Sequence, residues 1–120
     1  MFAKISEDTY QKLTEKLLRV PYVTGAHAIR TIFGDGIEIA FRHPYMGRPY
    51  EYYLVADAQR DGRRNYRWRG GVYTAPSEHW VFDDSEYTPV NLAEHRLKAL
   101  DVDGLYDAIV DDLNTAKREL

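Results

Sequence analysis

The stretch Ile37-Glu38-Ile39-Ala40-Phe41-Arg42 sets Ile37, Ile39 and Phe41 against Glu38, Ala40 and Arg42, directly after Gly34-Asp35-Gly36. Successive side chains of an extended chain point to opposite faces, so this alternation describes a strand with one face in a core. On the other side of the glycines, the chain from Val23 to Phe33 is rich in β-branched and aromatic residues. Period two on both sides of Gly-Asp-Gly predicts an antiparallel hairpin.

Working outward toward the C-terminus, 43–49 holds two prolines and a glycine. This composition cannot supply every ladder donor of a central strand, so a loop is predicted. A third strand is expected from about Tyr50 to Asp57, with Tyr50, Tyr52 and Leu54 on one face and Glu51, Tyr53 and Val55 on the other. Asp61-Gly62 is a second turn signal, and Arg63 to Tyr73 returns as a fourth strand. Ala75 to Glu86 is acidic and aromatic around Trp80-Val81-Phe82, and is expected to be a short fifth edge strand or a lid.

Helices flank this meander. Ser6 is placed to accept from the free amides of a first turn, and Tyr10, Leu13, Leu17 and Leu18 share one helical face. Glu7 and Asp8 precede Lys16 and Arg19, matching the helix dipole, and Val20-Pro21 ends the pattern. A helix is therefore predicted over 6–19. Thr88-Pro89 reads as N-cap and first position of a second helix carrying Val90, Ala93, Leu97 and Leu100. Asp101 or Asp103 opens a third, with Val102, Leu105, Tyr106, Ile109, Val110 and Leu113 on its apolar face. The expected fold is one α+β domain over 1–120: an antiparallel sheet of about four strands packed against an N-terminal helix and two C-terminal helices.

Composition narrows the function classes. With 120 residues, 44% hydrophobic, 29% charged and a net charge of −3, the chain has the makings of a core rather than of a disordered segment. It has no cysteine, so disulfides, thiolate metal sites and thiol nucleophiles are excluded. The N-terminus turns acidic at Glu7-Asp8 before a signal-peptide core forms, and no apolar run approaches the ~20 residues that span a bilayer. A cytoplasmic protein without membrane contact is expected.

The strongest departure from a bland surface is Arg60 to Arg69. Arg60, Arg63, Arg64, Arg67 and Arg69 against Asp61 give this decade a local charge of +4, leaving −7 for the remainder. If it is extended, Arg64, Tyr66 and Trp68 face one way and Arg63, Asn65, Arg67 and Arg69 the other. The aromatics then belong to the core, and the arginine row is left to pair with carboxylates: the chain's own, Glu51 or Asp57, or a partner's. A phosphate-bearing single strand held by Arg60, Arg64, Tyr66 and Trp68 is the alternative, since guanidinium pairs bidentately with phosphate and rings stack on bases. The total negative charge weighs against it.

Acidic surfaces complement the row. Glu78, Asp83, Asp84 and Glu86 stand without a lysine or arginine among them, and Asp103, Asp107 and Asp111 recur every fourth residue, with Asp112 widening the stripe. Beyond solubility, such a surface engages a basic partner or imitates a nucleic-acid backbone. No metal is expected, because carboxylates spaced by four along an exposed helix diverge unless another element adds ligands.

Neither Glu78-His79 nor Glu94-His95 has a metalloprotease spacing, and Ser77 near His79 lacks a glycine-flanked elbow. His43 beside Arg42 and Arg48 is the one arrangement with acid–base character, suited to phosphoester chemistry. The reading preferred on residues alone is a non-catalytic interaction protein without a cofactor, contacting a protein partner through Arg63, Arg67, Arg69, Tyr53, Asp103, Asp107 and Asp111. Self-association is the alternative use of surfaces so complementary in sign. Small acidic, cysteine-free accessory proteins of bacteria and phages, including inhibitors of host defence, share this composition, an analogy and not a derivation.

Overall fold

The computed structural model describes residues 3–74 and 86–120. Helix α1 (Glu7–Leu17) leads into strands β1 (Val23–Arg30), β2 (Asp35–Tyr45), β3 (Arg48–Asp61) and β4 (Asn65–Thr74). Two three-residue strands, β5 (Glu86–Thr88) and β6 (His95–Leu97), and helix α2 (Val102–Glu119) complete the order. The sheet is antiparallel, β1-β2-β3-β4, and its fifth position is shared end to end: β5 pairs with Val72–Thr74 and β6 with Tyr66–Trp68. Among the described residues the chain is thus α+β with two helices, where three were expected. The expected edge strand or lid at 75–85, with Glu78, Asp83 and Asp84, lies outside the described residues.

Alternation decides which face is buried. Ile37, Ile39 and Phe41 of β2, Leu54, Ala56 and Ala58 of β3, and Trp68 and Val72 of β4 form the core with Leu13 and Leu17 of α1 and Leu105, Ile109 and Leu113 of α2. Both helices carry the caps their sequences supply. Thr9 N donates to Ser6 Oγ at 3.2 Å and Gly104 N to Asp101 Oδ1 at 2.9 Å. Each cap satisfies an amide that the helix itself leaves unpaired, typically worth ~1 kcal/mol.

Three expectations are corrected. Residues 43–49 are not a loop: β2 and β3 run through the prolines and meet at a two-residue turn, Met46 (φ 51°) and Gly47 (φ 80°). Two positive φ values give the turn whose twist matches that of the strands. Tyr45 and Arg48 close it, and Pro44 opposite Pro49 forms the next, non-hydrogen-bonded pair of the alternating ladder. Among the described residues, the pairing of β1 ends at Phe41 and that of β4 at Tyr52, so the missing proline donors face no described strand.

The second correction concerns Gly34-Asp35-Gly36, which is not the turn. The connection spans 31–34, where the Thr31 hydroxyl accepts from Phe33 N and Gly34 N. The two glycines serve close approach instead. A Cβ on Gly34 would stand 2.0 Å from the Ala58 carbonyl oxygen, and one on Gly36 2.2 Å from that of Ala56. Between them, buried Asp35 accepts from Ile5 N at 2.9 Å and its own amide donates to the Ala3 carbonyl, tying down the N-terminal segment.

Third, 89–100 is an irregular segment with the short strand β6 at 95–97, where a helix was predicted. The open edge of β4 presents unpaired amides and carbonyls, and β6 satisfies part of that row. Val90 is buried, and Leu92, Leu97 and Leu100 pack against the core from this non-helical segment. The apolar spacing that suggested a helix is met by a strand and its approaches.

Candidate functional site

The arginine-rich decade straddles a strand and a turn, and its two parts have different surroundings. Arg67 and Arg69 lie on the outer face of β4, away from both helices. Arg67 stands 3.0 Å from Glu94 and 3.8 Å from Asp61, and Arg69 is 3.9 Å from Glu94. Arg96 of β6, directly opposite Arg67, reaches Asp61 at 3.4 Å. Three cations and two carboxylates therefore form a network, partly withdrawn from water around Arg67, Asp61 and Glu94. The carboxylates come from the turn and from the segment before β6, not from Glu51 or Asp57. Asp57 is Arg69's neighbour in the ladder, but its carboxylate accepts from the Thr31 hydroxyl at 3.1 Å.

Arg63 and Arg64 are not on the strand. With Gly62 (φ 80°) they form the connection between Asp61 and Asn65, and both are exposed. Arg60, on the last turnward stretch of β3, lies opposite Tyr66 with its guanidinium 5.5 Å from the ring centre. Arg63, Arg64, Asn65, Tyr66 and Lys98 line a concavity of about 600 Å³. Among the described residues none of Arg60, Arg63, Arg64 or Lys98 has a carboxylate within 4.0 Å. Among the described residues, four cations without a carboxylate partner stand around one ring.

Exposed apolar residues stand at the same end of the sheet. Asp35 at the start of β2 is the neighbour of Arg30, and Gly36 faces Asp57, four residues before the β3–β4 turn. The β1–β2 connection thus puts Ile32, 87% exposed, and Phe33, 56% exposed, at the same end of the sheet as the basic turn, but on the side of Asp57 and Gln59 rather than against it. Phe33 also lines an outer-face concavity of about 300 Å³ with Gln59, Arg69 and Gly71. Sequence reading missed these two residues, since they fell inside a presumed strand.

The other singled-out residues separate. Trp68 is fully buried, so its ring is closed to a base, and Tyr66 is half-buried beneath Arg60. Tyr53 packs on Ala40 and Tyr73 on the outer face and is nearly buried; desolvation, with Glu51 and Glu38 nearby, raises its hydroxyl pKa. His43 lies on the core face of β2 with its ring edge toward Tyr52, while Arg42 projects to the opposite face.

Asp103, Asp107 and Asp111 are exposed along α2, and Asp103 reaches Lys16 at 3.5 Å. Asp112 does not widen that stripe. It is 1% exposed, on the line of Ala108 and Ala116 that faces the sheet. His95 of β6 meets it there, Nε2 to Oδ1 at 2.9 Å, and stands 3.5 Å from Asp111 Oδ2. Burial pushes the Asp112 carboxyl up to about 6, against the opposing pull of His95 and with a smaller contribution from Asp111. No sequence spacing links 95 to 111 and 112; the edge pairing of β6 brings them together.

Compared with protein-family models, curated proteins and solved structures, the chain matches none of them.

Proposed function

We propose that this is a non-catalytic binding protein that captures an acidic segment of a partner protein at the basic end of its sheet. The observation that carries the reading is the group Arg60, Arg63, Arg64 and Lys98, gathered around Tyr66 without a carboxylate partner among the described residues. Uncompensated guanidiniums at an exposed turn lose little solvation when they meet a carboxylate, and their field steers an anionic partner inward. Ile32 and Phe33 at the same end add apolar area, which a protein segment fills and a sugar–phosphate backbone does not. Arg67 and Arg69 enter this reading as scaffold, because with Arg96 they share the carboxylates of Glu94 and Asp61.

A single-strand nucleic acid is the less favoured partner on the same residues. Such binders stack successive bases on several rings, each worth ~1–3 kcal/mol. Of the two rings proposed for that role, Trp68 is enclosed and Tyr66 is covered on one side by Arg60.

Fluorescence anisotropy with a labelled polyglutamate peptide carrying a terminal leucine, and with a thymidine oligonucleotide of equal charge, separates the two. The peptide is expected to bind more tightly than the oligonucleotide, with affinity falling as salt rises. Tighter binding of the oligonucleotide would replace the protein-partner reading with the nucleic-acid one, and no binding of either at low salt would end both.

A further inference from the structure

On one side of α2, opposite charges are out of balance. His95 Nε2 stands 2.9 Å from Asp112 Oδ1 and 3.5 Å from Asp111 Oδ2, so two carboxylates converge on a single ring nitrogen. That nitrogen carries at most one proton and directs it at one acceptor. Protonated or not, the imidazole cannot balance two negative charges. The second oxygen of Asp112, Oδ2, is buried with no hydrogen-bond partner among the described residues. Buried carboxylate oxygens are almost always paired, and a buried charge is retained where a counter-ion or metal accompanies it.

We propose that His95, Asp111 and Asp112 form a binding site for a first-row divalent cation of the zinc type. One atom from each residue lies within 4.8 Å of the other two. Ligands at ~2.0–2.1 Å from a tetrahedral zinc ion stand about 3.3 Å apart, between the two separations observed at His95 Nε2. One imidazole nitrogen with two carboxylates suits zinc better than calcium or magnesium, which favour all-oxygen shells. Two elements supply the ligands, His95 from the sheet edge and the aspartates from consecutive positions of α2, so convergence does not rely on helical spacing. The site is open on one side: Asp111 is 57% exposed, and His95, Asp107 and Asp111 line a surface concavity of about 410 Å³. Three protein ligands and an open side leave a position for water or for a partner's side chain.

The test is calorimetric titration of the full chain with Zn²⁺ and, separately, with Mg²⁺ and Ca²⁺, alongside Co²⁺ as a visible-spectrum probe. The wild type is expected to take up one Zn²⁺ per chain in preference to Mg²⁺ and Ca²⁺, to melt at a higher temperature with it, and to give Co²⁺ the absorption of a low-coordinate nitrogen–oxygen site. Asp111→Asn, on the exposed helix surface where folding is indifferent to it, should weaken Zn²⁺ by at least about tenfold, and His95→Gln by more. Zn²⁺ uptake unchanged in Asp111→Asn, or no uptake by the wild type, overturns the assignment. If His95→Gln fails to fold, Asp111→Asn with the Co²⁺ spectrum decides the matter alone.

Discussion

Arg67 and Arg63 are four residues apart, carry the same guanidinium and belong to the same run of positive charge, yet the fold treats them differently. Arg67 is on a strand, opposite Arg96 and within reach of Glu94 and Asp61. Arg63 is on a turn, and no carboxylate among the described residues approaches it or Arg64. Charge in a sequence is therefore not charge on a surface. The strand half is absorbed into an ion-pair network, while the turn half projects its field into solvent. A network of partly desolvated pairs exceeds the small worth of isolated surface pairs, so the strand half bears on stability and the turn half on recognition.

The largest expected effect lies beneath both halves. Trp68 is fully enclosed and holds β4 to the core, so Trp68→Ala should cost about 3–5 kcal/mol in chemical denaturation. A loss under 1 kcal/mol would mean that β4 is not anchored there, and the division between strand and turn would dissolve with it.

Next comes the strand half itself. Reversing Arg67 and Arg69 to glutamate places like charges beside Glu94 and Asp61. Each broken pair is worth up to ~1 kcal/mol and the new repulsion adds to it, so the double reversal should cost about 1–3 kcal/mol. Unchanged stability would show that the network contributes nothing, and that Arg67 and Arg69 are as free to serve a partner as the turn.

Much of the fold was legible from residue order alone. Alternation at Ile37, Ile39 and Phe41 gave the right buried face, Ser6 marked the first helix start, Asp101 proved to be the cap where residue order allowed either Asp101 or Asp103, and the split of Tyr66 and Trp68 from Arg67 and Arg69 is the one observed. The failures share one cause, namely that a local signal was answered by a distant neighbour. Pro44 and Pro49 are tolerated in strands because, among the described residues, β1 and β4 end before reaching them. Gly34 and Gly36 look like a turn but make room for the carbonyls of Ala58 and Ala56. Val90 to Leu100 has helical spacing but lies beside an open strand edge.

The candidate sites followed the same pattern. Arg60, Arg63, Arg64 and Tyr66 were visible as a run, but Lys98 joins them through space, over thirty positions away. Asp112 read as one more exposed acid until its place against the sheet was known. Ile32 and Phe33 read as the end of a strand until the connection at 31–34 released them to solvent.

The central claim is that the turn half recognises a partner and the strand half supports the fold. The direct measurement is the affinity of the labelled acidic peptide for two reversals side by side, Arg63→Glu/Arg64→Glu and Arg67→Glu/Arg69→Glu, each with its denaturation midpoint. The turn reversal should abolish peptide binding while changing stability by no more than about 0.5 kcal/mol, and the strand reversal should keep most of the binding. Peptide binding that survives the turn reversal and disappears with the strand reversal would contradict the account.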